Sequence, residues 1–139
     1  MANDNFRELT VYKKAFALSM ELFHLSKKFP AEEKFGLTSQ IRRSSRSVCS
    51  TIGEGYRKRQ YPAHFVSKAS DSDMENSETQ VWLDFALACE YINKEDYQSL
   101  LFKSEEIGKL LNHMINFPEI YYQCKKATGI LSNCVLPFA

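Results

Sequence analysis

The chain has 139 residues, 44% hydrophobic and 25% charged, the balance of one ordinary globular domain with a single core. It has no run near the roughly 18 consecutive apolar residues of a membrane span. The opening Met1-Ala2-Asn3-Asp4-Asn5 also lacks the basic and apolar parts of a signal peptide, so a cytoplasmic protein with no membrane partner is expected. Net charge is only +1, yet residues 1–68 carry 13 Lys and Arg against 6 Asp and Glu (+7), and residues 69–139 carry 5 against 11 (−6). Halves so opposed either pair within one subunit or set a basic face of one copy against an acidic face of the next.

In the first segment Val11, Ala15, Leu18, Leu22, Leu25 and Phe29 advance by alternate steps of four and three, with Tyr12, Phe16 and Phe23 widening the stripe. This predicts an amphipathic helix over 8–29, closed by Pro30. Residues 31–36 read as a short connection, with Thr38 as an N-cap candidate.

The second helix, 37–57, is the one around which the chain is organised. At 100° per residue, Leu37, Ile41, Ser44, Ser45, Val48, Cys49, Ile52 and Tyr56 share an arc of roughly 140°, a core face. Arg42, Arg46, Arg57 and Arg43 fall in order across the opposite side, and Gly53 lies among them. Such a face is either solvated and salt-bridged or a surface for binding nucleic acid. At Gly53 the missing side chain either admits a close backbone or ligand or marks a fraying helix end.

Pro62 starts a third helix, expected to run over 62–92. Phe65, Ala69, Ser72, Asn76, Leu83 and Leu87 form one seam. Met74, Val81, Phe85, Ala88 and Ile92 form a second, almost opposite. A lone bundle buries only one of them, so the second is the predicted oligomer interface, with cover by the C-terminal tail as the alternative. Asn93 caps a fourth helix that opens with Glu95 and Asp96, well placed for the helix dipole. Pro118 ends it, and four helices with short connections predict an all-α, antiparallel up-and-down four-helix bundle over 1–118. Residues 119–139 read as a C-terminal tail docked on the bundle or on a neighbour.

Catalytic and metal-binding patterns are sparse. Glu21 and His24 have the Glu-x-x-His spacing of a dinuclear site, but once only, and both point away from the core stripe. Asp71, Asp73, Glu75 and Glu78 spread around the third helix, which suits charge pairing better than metal binding. Cys49, Cys89, Cys124 and Cys134 form no Cys-x-x-Cys pair and read as reduced structural thiols. No phosphate loop, zinc spacing or nucleophile elbow is present, so the expectation is a non-enzyme without metal or cofactor.

Leu37-Thr38-Ser39-Gln40-Ile41-Arg42-Arg43, followed by Ile52-Gly53-Glu54-Gly55, resembles the four-helix bundle family encoded by intervening sequences of bacterial 23S rRNA genes. Leu9-x-Val11-Tyr12-x-x-Ala15, Phe29-Pro30 and Glu33 agree with it over about residues 6 to 117. The family is also similar to the accessory proteins of diversity-generating retroelements. The resemblance implies a cyclic homo-oligomer, a homo-pentamer, with a basic surface that binds RNA or DNA through Arg42, Arg43, Arg46, Arg57, Lys58 and Arg59, as an accessory to a further, unidentified protein partner. Thr51 stands where the family usually has Asn, and Asp71 and Asp73 where Gly and an apolar residue are usual. The alternative is an assembly scaffold whose arginines pair with carboxylates between subunits. Arginines within about 4 Å of Asp71, Asp73 or Glu75 would favour it. The expected outcome is a mixture, with Arg42 or Arg46 paired and the Arg57-Lys58-Arg59 cluster free.

Overall fold

The computed structural model describes residues 5–122. Cys124, Lys125, Lys126, Cys134 and the apolar run from Val135 to Phe138 lie outside the described residues, and with them most of the tail expected over 119–139. Among the described residues there are four α-helices and no strand: α1 (Thr10–Ser26), α2 (Leu37–Arg57), α3 (Pro62–Ala88) and α4 (Lys94–Asn116).

The first helix is shorter than its periodicity predicts. Phe6–Glu8 forms a separate 3-10 turn, because Leu9 is extended (ψ 131°) and breaks the run. At the other end, the N–H groups of Lys27, Lys28 and Phe29 turn back to the carbonyls of His24, Leu25 and Ser26, a tightening that finishes the helix before Pro30. Phe29 is nonetheless buried, its ring 5.6 Å from that of Tyr91. The bounds of α2 match the predicted ones, but Thr38 is not its cap. Glu33 Oε2 accepts the Leu37 N–H at 2.8 Å, placing a carboxylate at the positive end of the helix dipole.

The third helix stops at Ala88, four residues before the predicted end. Glu90 takes the left-handed conformation (φ 62°), the Glu90 N–H reaches the Leu87 carbonyl, and the Tyr91 N–H reaches Ala86. Those two bonds are a Schellman ending, and they turn the chain so that Ile92 enters the core instead of extending the outward seam. Ile92 is thus a core residue and not part of an external interface. Asn93 caps α4 as predicted, its Oδ1 accepting the Asp96 N–H at 2.7 Å.

Core packing joins α2 to α3, α3 to α4, and α1 to both α2 and α4. Val11, Leu18 and Leu22 meet Ile41, Val48, Ile52, Leu83, Ile107 and Leu111 in one hydrophobic cluster. The α2–α3 seam is different in kind, being made of small and polar side chains. Ser44 Oγ and Thr79 Oγ1 share a hydrogen bond of 2.8 Å, and Thr51 is bonded to Ser72. Asn76 donates to the Ser104 carbonyl and accepts from its hydroxyl, both at 2.9 Å, carrying the seam on into α4. Each buried polar group thereby recovers a partner for the water it loses, and the small side chains let the helix backbones come close.

Candidate nucleic-acid and assembly surfaces

Consecutive helical residues point 100° apart, so the arginines of α2 fan from the α1 side to the α3 side. Arg42 leans to α1. Its Nε donates to Ser26 Oγ at 2.7 Å, its Nη2 reaches the Phe23 carbonyl at 3.5 Å, and its Cζ lies 4.8 Å from the Phe23 ring centre. Arg43 leans to α3, where it pairs with Glu75 at 3.2 Å and with Glu78. The guanidinium draws the Glu78 carboxyl below its usual range, while burial holds that of the less exposed Glu75 above it. The same hydrogen bond to Glu78 raises the pKa of Arg43 further.

The expected mixture is therefore redistributed. Among the described residues Arg43 pairs with carboxylates and Arg42 and Arg46 do not, because position 43 lies on the α3 edge of the helix. Its partners are Glu75 and Glu78, not Asp71 or Asp73. Arg46 points outward with its Cζ 5.7 Å from the Phe23 ring, and Arg57 stands 6.0 Å from the ring of Phe6. Lys58 lies 5.7 Å from the Tyr61 ring. Arg59 is not part of an open basic cluster. It is 4% exposed, its Cζ sits 3.5 Å from the Tyr56 ring centre, and its Nε donates to the Tyr56 carbonyl at 2.7 Å.

Both glycines of the Gly53-Glu54-Gly55 motif are explained by packing. A Cβ on Gly53 would lie 3.3 Å from the Phe6 ring, and one on Gly55 would lie 2.9 Å from Lys68 Cβ of α3. What comes close at Gly53 is an aromatic ring of the same chain. Between them Glu54 accepts from Lys68 Nζ at 2.9 Å, a second tie from α2 to α3. Glu21 and His24 are also engaged elsewhere, Glu21 with Lys103 at 2.7 Å and the His24 ring 5.3 Å from that of Phe23.

Two surfaces remain. On α3, Met74 (62% exposed), Val81 (46%) and Phe85 (53%) form an outward stripe continued by Ala88. Between α1 and α2 lies a groove of about 680 Å³ walled by Phe6, Tyr12, Phe16, Met20 and Cys49, with Arg46 and Arg57 on its rim. The groove is not legible in the sequence, although Tyr12 and Phe16, which widen the α1 stripe, are a signal for it. Nor is the gathering of Lys27, Arg42 and Arg46 within 6 Å of the Phe23 ring. Of the two cysteines among the described residues, Cys49 packs against the core as a structural thiol and Cys89 does not. Cys49 is half-buried, with burial pushing its thiol up to about 11, while Cys89 is exposed.

The sequence profile of the family described as 23S rRNA-intervening sequence protein matches residues 7–113. Among solved structures, the chain is similar to a protein of unknown function of the S23 ribosomal protein family from Bacteroides thetaiotaomicron VPI-5482. Identity is 33%, the TM-score is 0.69, and the match covers 76% of this chain and 95% of the other. No curated protein matches it in sequence.

Proposed function

The chain belongs to the 23S rRNA-intervening sequence protein family, and from that premise we propose that it is a non-enzymatic assembly module of the cytoplasm. It is an antiparallel, up-and-down bundle that joins head to tail into a closed ring, five subunits being the number the family resemblance implies. The observation that carries this reading is the outward stripe of Met74, Val81, Phe85 and Ala88, an apolar strip on a helix whose other side already fills the core. The engagement of Arg42, Arg43 and Arg59 within the chain supports the scaffold reading over broad use of the α2 arginines on nucleic acid.

The test is light scattering at micromolar concentration. The wild-type protein is expected at about five times its 16.1 kDa chain mass. Phe85→Glu is expected at the mass of one chain, because burying an unpaired carboxylate in an apolar contact costs several kcal/mol. A wild-type monomer overturns the proposal.

A second reading, RNA or DNA binding, keeps one specific support: Lys27, Arg42 and Arg46 around Phe23, with Arg57 further along the same helix and Lys58 just past its end. A ring would repeat that charge about its axis. Affinity for duplex should then fall by about 0.9 log units per log unit of salt for each phosphate neutralised, and Arg46→Glu with Lys27→Glu should remove it. Little affinity at 0.15 M salt leaves the scaffold alone.

A further inference from the structure

The outward face of α3 continues past its apolar stripe, and toward the start of the helix it meets the last residue of the described chain. Ala63, Ser67, Ser70, Met74, Val81 and Phe85 are all exposed and fall within an arc of roughly 60° at 100° per residue. No charged side chain stands in that arc between Ala63 and Phe85, although a solvated helix face ordinarily carries several. At the small-residue end lies a groove of about 570 Å³, formed by Ala63, Val66, Ser67, Ser70 and Asp71 with Tyr122. Tyr122 is held there, its ring edge-on to that of Phe65 at 6.1 Å. Tyr121 beside it stacks on Phe65, with its hydroxyl 2.9 Å from His113 Nδ1. The chain therefore leaves Tyr122 at one end of an uncharged line, and residues 123–139 follow from that point.

The length, hydropathy and charge of those residues fit the line. Their apolar run, Val135–Phe138, begins thirteen residues after Tyr122. A flexible chain of that length spans about 20 Å on average, and Ser70 and Phe85 lie about 22 Å apart along the helix axis at 1.5 Å per residue. The run thus reaches the stripe without stretching, and its attachment keeps it there at an effective concentration of about a millimolar. Lys125 and Lys126 are the only charged side chains among residues 123–139, three and four positions beyond Tyr122. Asp71, on the wall of the same groove, is in no ion pair among the described residues, the nearby Lys68 being bound to Glu54. The segment also lies outside the part matched by the family, which ends at residue 113.

We propose that residues 123–139 run along α3 of their own chain, with Lys125 and Lys126 beside Asp71 and Val135–Phe138 over Met74, Val81 and Phe85. The ion pairs set the direction of the tail, and the apolar contact supplies its affinity. In the single chain the tail then covers the stripe that the assembly reading gives to a neighbouring copy, so a neighbour must displace it. A stripe covered about nine-tenths of the time raises the concentration needed for assembly about tenfold.

This second consequence rests on the assembly reading, and the experiment separates the two. In the full-length chain with Cys49, Cys89 and Cys124 changed to serine, native Cys134 reports where the apolar run lies. Val81→Cys places its target on the stripe. Lys109→Cys is the control, exposed on α4 one turn from His113 and so within easier reach of Tyr122. Circular dichroism checks the fold of each. On mild oxidation in dilute solution Val81→Cys is expected to form a disulfide within one chain at least about tenfold faster than Lys109→Cys does. Equal rates, or links only between chains, overturn the proposal and leave the assembly reading standing. Light scattering over a dilution series then compares wild type with Val135→Asp/Leu136→Asp/Phe138→Asp, which is expected to assemble at about tenfold lower concentration. An unchanged midpoint overturns the competition. If both proteins stay single chains while the link within the chain forms, the tail is the occupant of the stripe and the assembly reading fails.

Discussion

At Gly55 and Gly53 the same residue type is required for reasons of different strength. A methyl on Gly55 would meet Lys68 Cβ, which moves only with the backbone of α3, so Gly55→Ala must separate two helices. Its expected cost is about 1–3 kcal/mol, read as a lower urea midpoint. At Gly53 the obstructing atoms belong to the Phe6 ring in a terminal 3-10 turn, which can yield, and alanine recovers about 1 kcal/mol of helix propensity. Gly53→Ala is expected to stay within about 1 kcal/mol of wild type. The cysteines contrast in a similar way. Burial holds the Cys49 thiol at about 11, so at pH 8 it is almost wholly protonated and unreactive, whereas Cys89 is open to solvent. With Cys124 and Cys134 changed to serine, maleimide should label one thiol quickly, at Cys89, and the other slowly.

At the scale of the helices, the bounds of α2 could be read because its core arc, its flanking turn residues and its basic face all change at the same positions. The end of α3 could not, because the residue in the left-handed position is Glu90, and a glutamate gives none of the signal a glycine would. Periodicity alone therefore places Ile92 on the outward seam, although the reversal at Glu90 carries it into the core. A non-glycine residue there is strained, and Glu90→Gly should raise stability by about 1 kcal/mol, seen as a higher Tm. The site was legible to a similar degree. The wheel placed Arg43 at one edge of the polar face but could not show that Glu75 and Glu78 stand opposite, since those contacts span more than thirty residues. The position of Arg59 does carry a signal in the sequence. It follows Tyr56 by three residues, and so continues the core face on which Tyr56 lies.

For the whole molecule, the charge asymmetry between the halves is partly neutralised inside the chain, through Arg43 with Glu75 and Glu78 and Lys14 with Glu106. These pairs are largely solvent-exposed, so each contributes no more than about 1 kcal/mol. The pH dependence at the Arg43 cluster has two opposed parts. Glu78, held low by Arg43, stabilises the fold above the ordinary carboxylate range, and that contribution is lost as pH falls through its folded pKa. Glu75, held high by burial, favours the fold at low pH and loses that contribution as pH rises through its own. Arg43→Gln should lower stability by about 1 kcal/mol at pH 7, with the difference from wild type shrinking in urea titrations as the carboxylates protonate toward pH 3.

The polar seam between α2 and α3 also has a consequence in time. Ser44 with Thr79, Thr51 with Ser72, and Asn76 with Ser104 all need their helices in one register, and a shift of a single turn would strand every one of these groups away from water. Partial sliding is therefore excluded, and this part of the bundle opens only when its helices part together. The backbone amides of Val48, Ser72 and Asn76 are expected to exchange with deuterium at the rate of global unfolding, while those of the terminal turn at Phe6–Glu8 exchange through local fraying. The hydroxyls that keep these helices in place thus also act as the molecule's slowest clock.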